Sequence, residues 1–82
     1  MYIVYILYSA SADRYYVGYT NDINRRLKEH NRIKGKYTDR GIPWKLRYTE
    51  NFASKEEARK REAFIKSKKS RIYIEELIGS VQ

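Results

Sequence analysis

Five side chains in this sequence have the types that acid–base chemistry on an anionic substrate requires. Tyr5 and Tyr16 carry phenols, Arg26 carries a guanidinium, His30 an imidazole and Glu62 a carboxylate. A phenol or an imidazole can move a proton, a guanidinium can bind an anion through two N–H groups, and a carboxylate can hold a cation. These side chains form a site only if the fold brings them together.

The first twenty residues predict a β-hairpin. Residues 2–8 are apolar or aromatic throughout, which is typical of a strand that packs on both faces. Residues 15–20 form a second strand pattern, and the small and polar residues 9–14 between them are suited to a turn. The hairpin therefore carries both Tyr5 and Tyr16.

The register of this hairpin decides whether the two tyrosines meet. We expect Tyr8 to pair with Tyr15 across the turn, which places Tyr5 opposite Gly18. Because side chains alternate along a strand, Tyr5 and Tyr16 then lie on one face of the sheet as diagonal neighbours. A glycine opposite Tyr5 suggests that a ligand or another stretch of backbone approaches closely there.

A helix is predicted at residues 22–31, with Ile23 and Leu27 facing the sheet. Arg26 and His30 are four residues apart and lie along one edge of that apolar stripe. Both also have ordinary explanations, since Arg26 can be a surface cation and His30 can be favoured by the helix dipole at a helix C-terminus.

A second helix is predicted at residues 54–66, where a capping box begins it. Ala58 and Ile65 lie on one stripe, and Glu62 takes the position between them. An ionised carboxylate on a core-facing stripe needs a cation or a metal beside it. A salt bridge, for instance to Arg26, and a functional role explain Glu62 equally well.

The remaining pattern completes an α+β fold. Residues 32–43 contain two glycines and a proline and predict a loop with at most one helical turn, residues 44–52 alternate like a half-buried strand, and residues 71–78 predict a last helix. The order is β-β-α-β-α-α, which predicts a three-stranded antiparallel sheet flanked by helices in one domain, residues 1–82.

The charge points to a polyanionic partner. The chain has 18 Lys and Arg against 10 Asp and Glu, and 17 of the 18 basic residues lie between Arg25 and Arg71. A solvated basic surface explains this composition as well as nucleic acid does. The absence of cysteine excludes a disulfide and a thiolate zinc site. Without a membrane-length apolar run or a leader, we expect a cytoplasmic protein with no membrane partner, as a monomer or weak dimer.

These residues together resemble the GIY-YIG nuclease domain. Residues 3–5 (Ile-Val-Tyr) stand where that family has Gly-Ile-Tyr, and residues 16–18 (Tyr-Val-Gly) where it has Tyr-Ile-Gly. Arg26, His30 and Glu62 fall at the spacing of the family's helical arginine, the His or Tyr one turn on, and the later glutamate. The resemblance covers nearly the whole chain and is most marked for the short single-domain members of uncharacterised function.

The resemblance implies hydrolysis of phosphodiester bonds in nucleic acid, with Mg²⁺ or Mn²⁺ as cofactor; DNA is favoured as substrate, and the choice between DNA and RNA stays open. It implies that Glu62 is the metal ligand, that Arg26 stabilises charge on the phosphate, and that Tyr5 or Tyr16 assists the attacking water. Which tyrosine is the base stays open, and His30 is a candidate proton relay. We expect no DNA-binding domain beside the nuclease-like domain, so substrate preference must come from the basic surface. We therefore expect selectivity for nucleic-acid structure rather than for sequence.

Two other functions remain compatible with the sequence: a nucleic-acid-binding module without turnover, and a protein-interaction module whose tyrosines are core residues. The chain departs from the family pattern at Ile3, Tyr19 and Ile74. The predicted nucleic-acid contacts are basic residues and one aromatic residue outside the five-residue site: Arg25, Lys34, Lys36, Tyr37, Arg40, Lys66, Lys68 and Lys69.

Overall fold

The computed structural model describes residues 1–35 and 37–80, with only the backbone described for residues 37 and 38. It confirms the predicted α+β order and the helical turn in the loop. In chain order the elements are β1 (Tyr2–Ser9), β2 (Arg14–Thr20), α1 (Ile23–His30), a short 3-10 helix (Tyr37–Gly41), β3 (Trp44–Phe52), α2 (Lys55–Ser67) and α3 (Arg71–Gly79).

The sheet is antiparallel with strand order β2-β1-β3. The central position of β1 explains why its residues are apolar on both faces, since each face is covered. The predicted hairpin register is confirmed: Tyr8 pairs with Tyr15, and Tyr5 pairs with Gly18. The Tyr8 and Tyr15 rings also pack against each other with centroids 4.8 Å apart, which supports this register.

Alternation along β1 divides its side chains between two cores. Val4 and Ile6 pack with Val17 and with residues of α2 and α3. Tyr5 and Leu7 pack with Trp44 and with residues of α1. The first helix therefore covers one face of the sheet, and the two later helices cover the other.

Side-chain caps fix where the helices begin. The Asp22 carboxylate accepts the Arg25 N–H at the start of α1, and the Ser54 hydroxyl accepts the Glu57 N–H at the start of α2. Such a cap stabilises a helix by about 1 kcal/mol and sets its first residue. The first cap fixes the helical position of Arg26, and the second fixes that of Glu62.

The C-terminal end of α1 is tied to the start of β3. The Asn31 side-chain amide donates to the Trp44 carbonyl oxygen at 3.0 Å and accepts the Trp44 N–H at 2.6 Å. Because His30 directly precedes Asn31, this pair of bonds holds the imidazole beside the sheet. Within residues 1–35 and 37–80, no helix is long and apolar enough to span a bilayer.

Candidate active site

A surface cleft of about 430 Å³ brings together four of the five side chains that the sequence selects. Tyr5 comes from β1, Tyr16 from β2, Arg26 from α1 and Glu62 from α2. Gly18 also lines the cleft. Side chains as distant in sequence as Tyr5 and Glu62 therefore face one concave space.

Gly18 is required by Tyr5 itself. A Cβ atom at Gly18 would lie 2.6 Å from the Tyr5 Oη atom and 2.7 Å from Cζ, which is well inside van der Waals contact. The sequence suggested that a ligand or another backbone approaches this glycine. The structure shows that the ring of the cross-strand tyrosine approaches Gly18, while the approach of a ligand to this glycine, which lines the cleft, stays a prediction.

Tyr5 is the most enclosed side chain of the site. It is 2% exposed, and its Oη atom lies 3.1 Å from His30 Nε2. Burial raises the pKa of the Tyr5 phenol far above its usual range, and the nearby Tyr16 raises it further, while Arg26 lowers it only in part. Tyr5 is therefore a neutral phenol at physiological pH.

The His30 imidazole contacts both tyrosines of the site. Burial lowers the pKa of its imidazole below the ordinary value of 6.5, and the charges of Arg26 and Lys34 lower it further. A neutral imidazole has one acceptor nitrogen, so in the tautomer that carries its hydrogen on Nδ1 the Tyr5 hydroxyl donates a hydrogen bond to His30 Nε2. The His30 ring also packs edge-on to Tyr16, with centroids 4.5 Å apart. The fold thus makes His30 a partner of both tyrosines.

Tyr16 is the more solvent-exposed of the two tyrosines. It is 38% exposed and stacks on Tyr5 with ring centroids 6.3 Å apart. On its other side Tyr16 borders a second hollow of about 510 Å³, which Trp44, Arg14 and Arg40 also line. Tyr16 therefore separates the cleft from a neighbouring space with aromatic and basic walls.

Arg26 and Glu62 do not pair with each other. Arg26 Nη1 lies 3.3 Å from Glu29 Oε1, and Glu62 Oε2 lies 3.3 Å from Lys66 Nζ. The suggested salt bridge between Arg26 and Glu62 is therefore wrong, because each side chain finds a partner on its own helix. The Arg26 Nε atom is buried and has no hydrogen-bond partner in the described part of the chain. The Arg26 side chain as a whole is 42% exposed, so its terminal N–H groups keep donor capacity for an anion.

Glu62 is the carboxylate of the cleft that could hold a metal ion. Its side chain is 17% exposed, whereas its partner Lys66 is 52% exposed and can move into solvent. No group of three His, Cys, Asp or Glu residues that could hold a metal exists among the described residues. Mg²⁺ keeps most of its waters and is bound through one or two carboxylates together with substrate phosphates. The donor set fits an ion that binds together with its substrate.

The predicted nucleic-acid contacts are spread over the surface. Arg25 lines the cleft and Arg40 the second hollow, while Lys34 is exposed. Lys66 pairs with Glu62, and Lys68 lies over the rings of two aromatic residues of α2 and α3. Lys69 follows in the turn with a φ of 47°. Lys36 and the Tyr37 side chain lie outside the described residues.

Trp44 belongs to the site although its sequence position predicts only a strand residue. It is 7% exposed, and its ring centroid lies 6.3 Å from that of Tyr16 and 6.4 Å from that of His30. Trp44 therefore supports the tyrosine–histidine cluster from the β3 side. Only its size and its place at the start of a strand indicate this role in the sequence.

Comparisons with known proteins show the family of the chain. The family model described as the GIY-YIG catalytic domain matches residues 1–74. A UPF0213 protein of Streptococcus pneumoniae is 57% identical over 56 residues, which are 67% of this chain and 57% of that protein. A UPF0213 protein of Halobacterium salinarum is 49% identical over 67 residues, which are 80% of this chain and 86% of that protein.

A solved structure shows the same fold. The solution NMR structure of a UPF0213 protein from Bacillus halodurans is similar with a TM-score of 0.62 and 34% identity, over 99% of this chain and 86% of that one. The chain belongs to the GIY-YIG family, a family of nucleases. It spans just over half the length of the streptococcal relative, 57%.

Proposed function

We propose that the protein hydrolyses phosphodiester bonds in DNA with the help of Mg²⁺ or Mn²⁺. The observation that supports this most is the cleft itself, where two phenols, a guanidinium and a carboxylate converge from four different elements. A surface that only binds a polyanion needs the cations alone. The phenols and the carboxylate are groups that hydrolysis uses.

In this proposal Arg26 binds the scissile phosphate. Its side chain is 42% exposed, and its ion pair to Glu29 is long, with Nη1 at 3.3 Å from Oε1. A guanidinium so placed can turn two N–H groups toward the non-bridging oxygens, where negative charge grows as water attacks. Loss of one such donor from a preorganised site costs about 10²–10³ in rate.

The proton of the attacking water leaves through Tyr5 and His30. Because the pKa of Tyr5 is raised, a free tyrosinate is too rare to serve as a base. The 3.1 Å hydrogen bond removes this difficulty, since Tyr5 can accept the water proton while its own proton passes to neutral His30 Nε2. The new bond joins the water oxygen to phosphorus, the bond to the leaving sugar oxygen breaks, and that oxygen takes a proton from solvent.

Glu62 would hold the metal ion, and Tyr16 would contact the substrate. When bound, Mg²⁺ or Mn²⁺ polarises a non-bridging oxygen and the leaving group. Tyr16 is the exposed phenol of the cleft, and its hydroxyl can hydrogen-bond to the attacking water or to a phosphate oxygen. Glu62 is only 17% exposed, so the carboxylate is held in place by its surroundings.

We propose selectivity for nucleic-acid structure rather than for sequence. The second hollow lies directly beside Tyr16 and has room and an aromatic wall for a base that is not paired. Stacking on an aromatic ring is tolerant of sequence because every base has a π-face. Substrates with an unpaired nucleotide next to the cut are therefore expected to be preferred to intact duplex.

The alternative function is a nucleic-acid-binding module without turnover. One observation favours it: Lys66 already neutralises Glu62 at 3.3 Å, so a metal ion must displace or share that partner. In this alternative Glu62 only stabilises α2, as i,i+4 pairs do.

Cleavage assays separate the two functions. The protein is incubated with plasmid DNA, with flap, nicked and single-stranded DNA, and with RNA of the same sequence. Each substrate is tested in the presence of Mg²⁺ or Mn²⁺ and in the presence of EDTA. The wild-type protein should cut DNA only with metal, Glu62→Gln should be at least about 100-fold slower, and the control Glu76→Gln on α3 should equal wild type. Equal cleavage by Glu62→Gln, or none by any protein with any substrate, would contradict the proposal.

A further inference from the structure

A row of three cations lies along α1 and just past its C-terminal end, where all three line one groove. Arg25 and Lys28 are spaced i, i+3, which places them about 60° apart around the helix, and Arg32 lies two residues past the end of the helix at His30. Ile23 and Leu27 occupy the opposite side and pack into the core. The three cations are exposed and line a groove of about 540 Å³.

The acidic residues of this groove do not neutralise the row. Glu29 pairs with Arg26 at 3.3 Å, and Asp22 caps the helix through the Arg25 backbone N–H. The Arg25 guanidinium donates to the neutral Asn21 side chain. Neither Lys28 nor Arg32 forms a salt bridge with any residue that the structure describes. The row is therefore open to an external anion.

The row is continuous with the catalytic cleft. Arg25 lines both the cleft and the groove. Arg32, past the end of α1, extends the row beyond the helix. By contrast, Lys66 and Lys68 on α2 and its following turn are occupied by Glu62 and by two aromatic rings. A nucleic-acid strand that places one phosphate in the cleft can extend along α1.

We infer that the groove on α1 binds the backbone phosphates that flank the scissile phosphate, so that the substrate strand leaves the cleft along this helix. This inference rests on the proposed function, because it assumes that the cleft receives a phosphate of nucleic acid. It assigns Lys28 and Arg32 as positioning residues that contribute to binding and leave the chemistry to the cleft.

The test measures the salt dependence of binding to a fluorescent DNA duplex. Binding is measured in a Glu62→Gln background so that no cleavage occurs. Lys28→Ala/Arg32→Ala should reduce the log–log slope by about 1.8, since each phosphate contact contributes about 0.9. When the salt concentration is lowered from 200 to 50 mM, the DNA affinity of the Glu62→Gln reference protein should rise about 12-fold more than that of the Lys28→Ala/Arg32→Ala variant.

Two control variants make the test specific. Lys45→Ala/Arg47→Ala on β3 removes the same charge from exposed positions outside the groove and should change the slope by much less. Lys28→Arg/Arg32→Lys keeps the charge and should retain the reference slope. Replacing single phosphates by neutral methylphosphonates should weaken DNA binding by the Glu62→Gln reference protein where the phosphate flanks the expected cleavage position. These effects should vanish in the Lys28→Ala/Arg32→Ala variant. Circular dichroism checks that each variant is folded.

The outcomes separate this inference from the proposed hydrolysis. If Lys28→Ala/Arg32→Ala lowers the slope but no substrate is cut, the phosphate groove stands and hydrolysis fails. If DNA is cut but the slope equals that of the reference, or the β3 control lowers it as much, the groove is overturned and hydrolysis stands. Absence of salt-dependent binding overturns both.

Discussion

Replacing Gly18 by alanine tests how the site is built. The new Cβ would lie 2.6 Å from Tyr5 Oη, so the ring must move by about 0.8 Å to reach an ordinary contact of 3.4 Å. Tyr5 cannot move freely, since it is 2% exposed, stacked on Tyr16 and hydrogen-bonded to His30. Overpacking of this kind costs about 1–3 kcal/mol of unfolding free energy.

Thermal and urea unfolding measure that cost. In a domain of this size each kcal/mol lowers the Tm by about 4–8 °C. Gly79→Ala is the matched control, because a Cβ atom there meets nothing within 4 Å. The same displacement disturbs the proposed proton path from Tyr5 to His30, and a misplacement of about 1 Å can reduce a reaction rate about 100-fold. Gly18→Ala should therefore lose both stability and cleavage, while Gly79→Ala keeps both.

A double-mutant cycle identifies the cause. If the Tyr5 ring is the obstacle, Gly18→Ala should cost much less stability in a Tyr5→Leu background than alone, with a coupling energy of about 0.5–3 kcal/mol. Additive effects would refute this reasoning, and so would a Gly18→Ala protein with wild-type stability and rate.

Three further predictions concern charge. His30 has a lowered pKa in the folded protein, so unfolding takes up a proton as the pH falls below 6.5; stability should fall in that window, and His30→Gln should flatten the pH profile of the Tm. Hydrogen bonds from Arg71 and Tyr8 lower the pKa of Asp13 to about 2, so the stability from this carboxylate should be lost as the pH falls from about 3.8 to about 2, and Asp13→Asn should remove that part of an acid-unfolding curve. Lys66→Ala removes the cation that competes with metal at Glu62 and should lower the Mg²⁺ concentration for half-maximal cleavage about twofold, as measured by metal titration.

Local signals allowed the sequence to predict most of the fold. The short polar turn and the aromatic pair Tyr8–Tyr15 fix the hairpin register, and that register alone brings Tyr5 and Tyr16 to one face. The capping serine at Ser54 sets the start of α2. These signals act over a few residues, so they can be recognised without the tertiary structure.

The packing of the site depends on contacts between distant elements and could not be predicted. The register predicts that Tyr5 pairs with Gly18, but nothing in the sequence indicates that the Tyr5 ring covers this glycine or that it is buried beside His30. The ion-pair partners of Arg26 and Glu62 could not be predicted either, because side chains on two helices can pair with each other or within each helix. The place of a ring or charge in a cleft is set by how the elements pack, and sequence spacing does not encode that.

Glu62 offers the sharpest distinction between catalysis and simple binding. A carboxylate in a cleft with Arg25, Arg26 and Lys55 repels a phosphate backbone, so a module selected only for binding gains nothing from it there. Glu62→Gln should therefore bind DNA as tightly as wild type or more tightly in the absence of metal, while cleavage in its presence is lost. Opposite effects on binding and on rate identify a group used for chemistry. If instead binding weakened along with cleavage, and the unfolding free energy fell as well, Glu62 would be only a structural partner of Lys66.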